Sequence, residues 1–182
     1  MADINQLITN FYDQAVARDF SRDFNFRITN IVPDPTLGIT FEEKDIIYAK
    51  AAKLPERAIT NVEAAYMGLK FNIPGVATYP NSSQYSLEFY CDLKSEIRQK
   101  FEKWSRAIFD DATSTGNYAV PQKSAYIQMA QLNPDFTVVQ KFKLVGVSIR
   151  NVGEIEYKMA EGTGGIQTFN VTLAYHYYEI PQ

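Results

Sequence analysis

The fold is decided by the stretch Thr168-Phe-Asn-Val-Thr-Leu-Ala-Tyr-His-Tyr-Tyr178. Apolar residues stand at every second position from Phe169 to Tyr177, and this period of two predicts a β-strand with one apolar face and one neutral polar face. The segment 151–159 before it alternates in the same way, and the Gly-rich stretch 160–165 predicts a turn between two antiparallel strands. A long strand without charge readily pairs with another chain, so we expect an assembly that closes its edge.

The composition is that of a folded protein rather than a disordered one. The chain has 182 residues, of which 46% are hydrophobic and 21% charged, which predicts a single domain, 1–182, with a real core. Tyr and Phe occur 12 times each, and both favour strands and interfaces. The net charge of −3 argues against binding to nucleic acid or to an anionic membrane, because both need a basic surface.

Targeting signals and cysteine pairs are both missing from the sequence. Cys91 is the single cysteine, so no internal disulfide can form and a reducing compartment is expected. The first residues carry no basic region followed by a long apolar run, and no window approaches the roughly 20 apolar residues of a membrane helix. We therefore expect a protein that is made in the cytoplasm and has no membrane partner.

The N-terminal half of the chain predicts one helix, three strands and a long arm. Apolar residues at helical spacing predict a short helix over 3–18, and the pattern from Phe24 onwards predicts the first strand. Two prolines and a glycine place a loop at 33–38. Residues 45–52 and 85–90 are expected to be strands, and the residues between them, roughly 53–80, are expected to form an extended hairpin arm with Gly68 and Gly75 as bends.

The clearest helix of the sequence is predicted over roughly 94–109. Four apolar residues recur there with helical spacing and form one stripe: Ile97, Phe101, Trp104 and Ile108. Asp92 or Ser95 is placed to cap the first turn. On the exposed side, ion pairs are expected between Glu96 and Lys100 and between Glu102 and Arg106. We expect this helix to pack on the outside of the β-structure, with Trp104 sealing the joint.

The C-terminal half adds further strands over 124–132 and 136–149, with Gly146 as the site of a bulge. The total is about seven to eight strands with one flanking α-helix and one short N-terminal helix. We therefore predict a mainly β (α+β) fold, an antiparallel β-barrel or sandwich.

The sequence lacks the residues that most enzymes and metal sites need. His176 is the only histidine, and it lies within a strand pattern, which favours a surface or lumen position over a catalytic one. A nucleophilic pair of Cys91 with His176 remains an alternative. The competing interpretation is that Cys91 is a half-buried thiol with a structural role. The acidic pair Asp110-Asp111 is expected to be a solvated helix end. We predict no enzyme activity, no cofactor and no metal.

Three stretches resemble a known family of proteins. They are Arg98-Gln-Lys-Phe-Glu-Lys-Trp104, Asn151-Val-Gly-Glu-Ile-Glu156 and Ile166-Gln-Thr-Phe-Asn-Val-Thr-Leu-Ala174, supported by Lys50-Ala-Ala-Lys-Leu-Pro55 before the arm. In this order and spacing they resemble the tail tube proteins of T-even-type contractile-tailed bacteriophages. Related tubes occur in bacteriocins, injection systems and type VI secretion.

The resemblance implies a structural virion protein of the phage tail, made in the host cytoplasm. It implies hexameric rings whose strands join into one inner barrel, and rings that stack as the tube through which DNA passes. The implied partners are further copies of the chain, the tail sheath protein, the baseplate tube initiator and the tail terminator, with DNA only as transiting cargo.

The same resemblance points to two sets of residues. The arm would contact neighbouring subunits and the adjacent ring, and its candidate interface residues are Leu54, Pro55, Ile59, Tyr66 and Met67. The tube lumen would be lined by neutral and acidic side chains that do not hold DNA, and the candidates are Glu154, Glu156, Thr168, Asn170 and Thr172. Alternation shows which residues share a face but not which face is inside, so exposure to outer solvent remains the alternative for this second set.

Three other functions stay open at this point. Two keep the same architecture: a baseplate-proximal ring that initiates the tube, and the tube of a phage-derived injection system. The third is of another class, a stand-alone β-barrel that binds a small apolar ligand.

Overall fold

The structure, a computed structural model, describes residues 4–18, 20–158, 162 and 164–181. Its helices are α1 (Ile4–Arg18), the short α2 (Glu43–Ile46) and α3 (Glu96–Ile108), with a 3-10 turn at Pro35–Leu37. Its strands are β1 (Phe26–Val32), β2 (Ala49–Ala52), β3 (Ala58–Tyr66), β4 (Leu69–Thr78), β5 (Tyr85–Tyr90), β6 (Phe109–Asp110), β7 (Thr115–Gly116), β8 (Tyr126–Leu132), β9 (Val138–Val145), β10 (Ser148–Val152), β11 (Thr168–Ala174) and β12 (Tyr177–Glu179). None of the helices in the described ranges is long and apolar enough to cross a membrane.

Eight of the strands form two four-stranded antiparallel sheets. The strand order is β1-β8-β9-β12 in the first sheet and β10-β11-β5-β2 in the second. The remaining strands form the hairpin β3-β4 and the small pair β6-β7. The predicted mainly β fold with a flanking helix is confirmed, in the form of a sandwich.

One apolar core fills the space between the two sheets. The first sheet contributes Ile28, Ile127 and Leu144, and the second contributes Leu87, Phe89, Phe169, Val171 and Leu173, all at most 2% exposed. Burying one such side chain stabilises a fold by about 1.5–3 kcal/mol, so these alternating positions hold the two sheets together.

The strand that begins at Thr168 is central in its sheet, and the prediction that it leaves an open edge is wrong. Residues Thr168–Leu173 pair with β5 on one side, and β10 pairs along the other. The long strand expected to run to Tyr178 also stops at Ala174, because the chain turns at Tyr175–His176 and β12 then joins β9 in the first sheet. The outer strands of this sheet are β10 and β2 instead.

The single long strand predicted over 136–149 is divided in the same way. Gly146 adopts a left-handed backbone with φ +69°, and there the chain leaves β9 in the first sheet and enters β10 in the second. A Cβ on Gly146 would lie 1.9 Å from the His176 ring, so the two crossings between sheets lie against each other. Gly146 therefore ends a strand, whereas the sequence alone suggested a bulge within one.

Two other predicted strands are shorter than expected. The start of the strand predicted over 45–52 is helical, because Glu42 and Asp45 form a reciprocal capping box that begins α2, and β2 starts only at Ala49. The alternating residues 153–158 have no regular structure, since β10 ends at Val152. Met159 and three of the six residues of the predicted turn at 160–165 lie outside the described residues.

Helix α3 closes the sandwich on one side. Asp92 caps it, because its carboxylate accepts hydrogen bonds from the backbone N–H groups of Glu96 (2.9 Å) and Ile97 (3.4 Å). Ser95 has a left-handed backbone and does not cap. The stripe residues Ile97, Phe101 and Trp104 are buried in the core, and Ile108 is half-buried against it.

The polar side of α3 pairs differently from the prediction. Lys100 does not pair with Glu96 but donates to the carboxylate of Asp45 at 2.6 Å, and the Asp45 side chain is only 4% exposed. The ion pair within the helix is that of Arg98 with Glu102. Lys100 thus ties α3 to the capping box of α2, a contact between elements that helical spacing cannot reveal.

Candidate assembly surfaces

The outward face of the second sheet carries the polar residues of β11 and β5. Antiparallel pairing places Thr172 beside Ser86 and Asn170 beside Glu88, and these directly opposed residues point to the same side. Thr168, Asn170 and Thr172 therefore share one outward face, as their alternation with the buried Phe169 and Val171 requires. The β5 residues on this face are absent from the sequence-based set, because only the register shows them.

One charged pair on this face joins β2 to β5. Lys50 on β2 donates to Glu88 at 2.7 Å, and this hydrogen bond is the main reason that the pKa of Glu88 is lowered. A hydrogen bond from Thr168 lowers the pKa of Glu88 further. The hydrogen bond between Lys50 and Glu88 is also the main reason that the pKa of Lys50 is raised. Lys50 and Glu88 thus balance each other, whereas Arg150 of β10 lines a depression together with Thr172 and adds a positive charge.

The two predicted acidic residues lie at the margin of this face, after the end of β10. Gly153 donates to the carbonyl of Asn170 at 2.7 Å, and a Cβ at that position would lie 2.7 Å from the same oxygen. Glycine thus lets the chain run against β11, which brings Glu154 into one shallow depression with Thr168 and Asn170. Glu156 is exposed, and its carbonyl accepts from the side chain of Gln167 at 3.2 Å. The structure therefore brings Glu154 close to the predicted set and leaves Glu156 further along the segment.

The arm is a two-stranded hairpin, β3-β4, with one apolar face. Register pairs Val62 with Ile73, Ala64 with Phe71 and Tyr66 with Leu69, so these six side chains point to one side. We call this set of six the arm face. The five large side chains among them are between 50% and 69% exposed. The alternating pairs on the other side include Glu63 and Lys70, which form an ion pair at 3.1 Å.

The predicted interface residues of the arm fall into two groups. Tyr66 belongs to the arm face, and Met67 stands at the turn with φ +50° and 86% exposure. Leu54 and Ile59 are exposed and Pro55 is half-buried, but all three lie at the base of the arm, before or at the irregularity between Ile59 and Asn61.

Sequence reasoning missed five residues of the arm face: Val62, Ala64, Leu69, Phe71 and Ile73. Their period of two along each strand is visible in the sequence, but the pairing that unites the two strands into one face is not.

Helix α1 exposes a second apolar surface. Leu7, Ile8, Phe11, Tyr12 and Val16 lie on one side of the helix, and each is more than half exposed. We call these five side chains the helix stripe. Exposed apolar surfaces of this kind mark interaction sites in soluble proteins.

The two residues considered for catalysis lie at opposite ends of β11. The backbone N–H of Cys91 donates to the carbonyl of Gln167 at one end, whereas His176 follows Ala174 at the other end. The seven residues of β11 between them span about 23 Å, which excludes a Cys-His pair within one subunit. Within the described part of the chain, no group of three or more His, Cys, Asp or Glu is placed to hold a metal ion.

An apolar cavity of about 500 Å³ lies beside α3, away from the centre of the sandwich. Trp104, Ile108, Val147 and Tyr118 line it, and the segment 117–122 passes over it. The centre of the sandwich itself is filled by core side chains.

No protein-family model matches the chain. Among individual proteins, the tail tube protein gp19 of Enterobacteria phage T4 is 29% identical over 131 residues, which are 71% of this chain and 78% of that protein. The chain is homologous to this tail tube protein, and the resemblance inferred from the sequence is confirmed.

Solved structures of contractile injection systems share the fold. A chain of the anti-feeding prophage cap, the tube terminating cap, superposes with a TM-score of 0.61 and 14% identity, covering 90% of this chain and 92% of that one. A chain of the sheath-tube complex of the extracellular contractile injection system PVC, in its extended state, superposes with a TM-score of 0.57 and 11% identity, covering 93% and 96%. At such low identity these matches show a common fold.

Proposed function

We propose that this homologue of a phage tail tube protein assembles into hexameric rings, which stack as the inner tube of a contractile tail. The observation that carries this proposal is the arm face, a row of apolar side chains on a hairpin that projects from the sandwich. A two-stranded hairpin is at best marginally stable in water unless it packs against something. A tube supplies that packing in every ring except the last.

The arm is then the contact between neighbouring subunits and between adjacent rings. Tyr66 and Met67 contribute at the tip, and Leu54, Pro55 and Ile59 contribute at the base. Repetition of one heterologous contact around a closed axis gives a ring, and repetition along the axis gives a filament. The exposed positions of Tyr66, Met67, Leu54 and Ile59 support this assignment.

The second sheet is the proposed lining of the tube. Its outer strands, β10 and β2, are each paired on one side only within the described parts of the chain, so each can pair with the sheet of a neighbouring subunit. The lining would then present Thr168, Asn170 and Thr172, with Glu154 and Glu156 at its margin. Neutral hydroxyl and amide groups offer little attraction to phosphate, and carboxylates repel it, which allows DNA to pass without being held.

The remaining parts of the proposal follow from the same role. The partners are other copies of the chain, the tail sheath protein, the baseplate tube initiator and the tail terminator, and the protein acts without catalysis or cofactor. It is made in the host cytoplasm and resides in the virion tail, or in a phage-like particle if the chain forms the tube of an injection system. A tube-initiating ring is the alternative within this fold.

Negative-stain electron microscopy of the purified protein tests this proposal. We expect six-membered rings or long hollow tubes, and the number of copies per particle separates a tube of many rings from a single initiator ring. A protein that stays monomeric at high concentration contradicts the proposal and favours the stand-alone ligand-binding fold.

A further inference from the structure

We infer that the helix stripe of α1 in one subunit packs onto the arm face of another copy of the chain. This inference rests on the proposed tube, because it names the element that covers the arm. It assigns a partner to the two largest exposed apolar surfaces described above, the helix stripe and the arm face.

The two surfaces do not cover each other within one chain. In the subunit, Phe11 of the helix stripe is 63% exposed, and Tyr66 and Leu69 of the arm face are 69% and 63% exposed. Each surface therefore needs a partner from outside the subunit. A homopolymer provides both surfaces in equal numbers, so pairing them leaves neither exposed.

The shapes of the two surfaces agree. Helix α1 has 15 residues and is about 22 Å long, and the strands of the arm have 9 and 10 residues and extend over about 30 Å. A helix laid on a two-stranded hairpin completes the two-layer arrangement that either element lacks alone. An isolated helix of this length is likewise marginal in water, so both elements gain from the contact.

The area is sufficient for a specific contact. Large aromatic side chains bury about 150–250 Å² each when fully covered. Five large apolar side chains on each surface, at least half exposed, give a buried area on the order of 1,000 Å², which is the lower bound for a specific interface.

The contact also leaves charge in solvent. The arm face contains no ionisable group except the Tyr66 hydroxyl, and the ion pair of Glu63 with Lys70 is on the opposite side of the hairpin. On α1, Asp13 lies on the side away from the helix stripe. Docking therefore keeps the Asp13 carboxylate and the ion pair of Glu63 with Lys70 out of the contact, where burying them would be costly.

Cysteine cross-linking between different chains tests the contact. In a Cys91→Ser background, one chain carries Leu7→Cys or Ala15→Cys on the apolar side of α1, and the other carries Ala64→Cys or Ile73→Cys on the arm face. The four mixtures cover both directions in which the helix can lie along the hairpin. After assembly and mild oxidation, mass spectrometry identifies the disulfide-linked peptides. We expect at least one mixture to give a helix-to-arm linkage.

Matched controls use the opposite faces of the same elements. Asn10→Cys mixed with Asn72→Cys should give at least tenfold less linkage, because both positions point away from the contact. A chain that carries both cysteines of a pair that links in the mixtures should link into a ladder of multimers. A linkage confined to single chains would overturn the inference.

The outcomes also separate this inference from the proposed function. Tubes that form in all mixtures but link no better than the control pair overturn the helix-to-arm contact and leave the tube standing. Helix-to-arm linkage between chains that form neither rings nor tubes supports the contact and contradicts the tube.

Discussion

A single charge on the arm face should prevent assembly without unfolding the subunit. Phe71 lies in the middle of that face, opposite Ala64, and is 50% exposed in the subunit. Since half of its surface already meets water, Phe71→Asp should change the free energy of unfolding of the subunit by no more than about 1 kcal/mol. The thermal melt of the subunit should therefore stay close to that of the parent.

The cost in the assembled tube is much larger. Covering Phe71 in a contact between copies contributes about 1–2 kcal/mol, part of the value for burying a whole Phe side chain. An aspartate at the same place would need to lose its hydration or its charge, which adds a few kcal/mol. The sum is about 3–5 kcal/mol for each contact, which corresponds to association weaker by about 10²–10⁴-fold.

The assay is sedimentation of assembled material over a range of protein concentrations, with electron microscopy of the pellets and circular dichroism of the supernatants. Asn72→Asp is the matched control, because it adds the same charge one residue away on the polar side of the hairpin. We expect the control to assemble and Phe71→Asp to remain in the supernatant as a folded protein. Assembly of Phe71→Asp within threefold of the parental critical concentration would refute the reasoning, and so would an equal loss in both variants.

Three other predictions concern the subunit itself. Trp104→Ala should lower the free energy of unfolding by about 3–5 kcal/mol in a chemical melt, because the buried indole leaves a cavity, and an unchanged melt would contradict this packing. Lys100→Ala should cost about 1–3 kcal/mol by leaving the buried Asp45 carboxylate without its cation, and stability equal to the parent would show that the pair is unimportant. Lys50→Ala should reduce the melting temperature at pH 6, and the difference should vanish on acidification. The pair of Lys50 with Glu88 lowers the pKa of Glu88 in the folded protein, so its contribution to stability is present above about pH 4.5 and is lost as pH falls through the lowered pKa. A difference in melting temperature that persists at pH 2 would contradict this prediction.

Local patterns predicted the elements whose residues repeat with a clear period. The stripe at Ile97, Phe101 and Trp104 located α3, and the alternation around Val171 located β11, because burial of one face imposes those periods on the sequence. The resemblance to tail tube proteins depended on the same stretches, and homology confirms it.

What the sequence could not predict depends on contacts between distant segments. The chain crosses from one sheet to the other at Gly146 and again just before Tyr177. Each crossing leaves the alternating pattern of the sequence almost unchanged. The start of α2 depends on a capping box that includes Asp45. The Asp45 carboxylate also accepts a hydrogen bond from Lys100, which is 55 residues away in the chain. These features come from long-range packing, which a periodicity of two or four residues does not encode.

The assembly surfaces show the same limit. The residues Thr168, Asn170 and Thr172 were grouped correctly on one face, since alternation alone defines that group. Their neighbours Ser86 and Glu88 could be added only from the strand register. In the arm, the residues predicted from the sequence lie at the base and the tip, whereas the continuous apolar surface is formed by the pairing of β3 with β4.

Electron cryomicroscopy of the assembled protein, at a resolution that traces the backbone, measures the arrangement of subunits most directly. It should find six subunits around a channel, backbone hydrogen bonds joining β10 of one subunit to β2 of the next, and Asn170 pointing into the channel. A channel lined by α3 or by the first sheet, or subunits that meet without any shared sheet, would contradict the account.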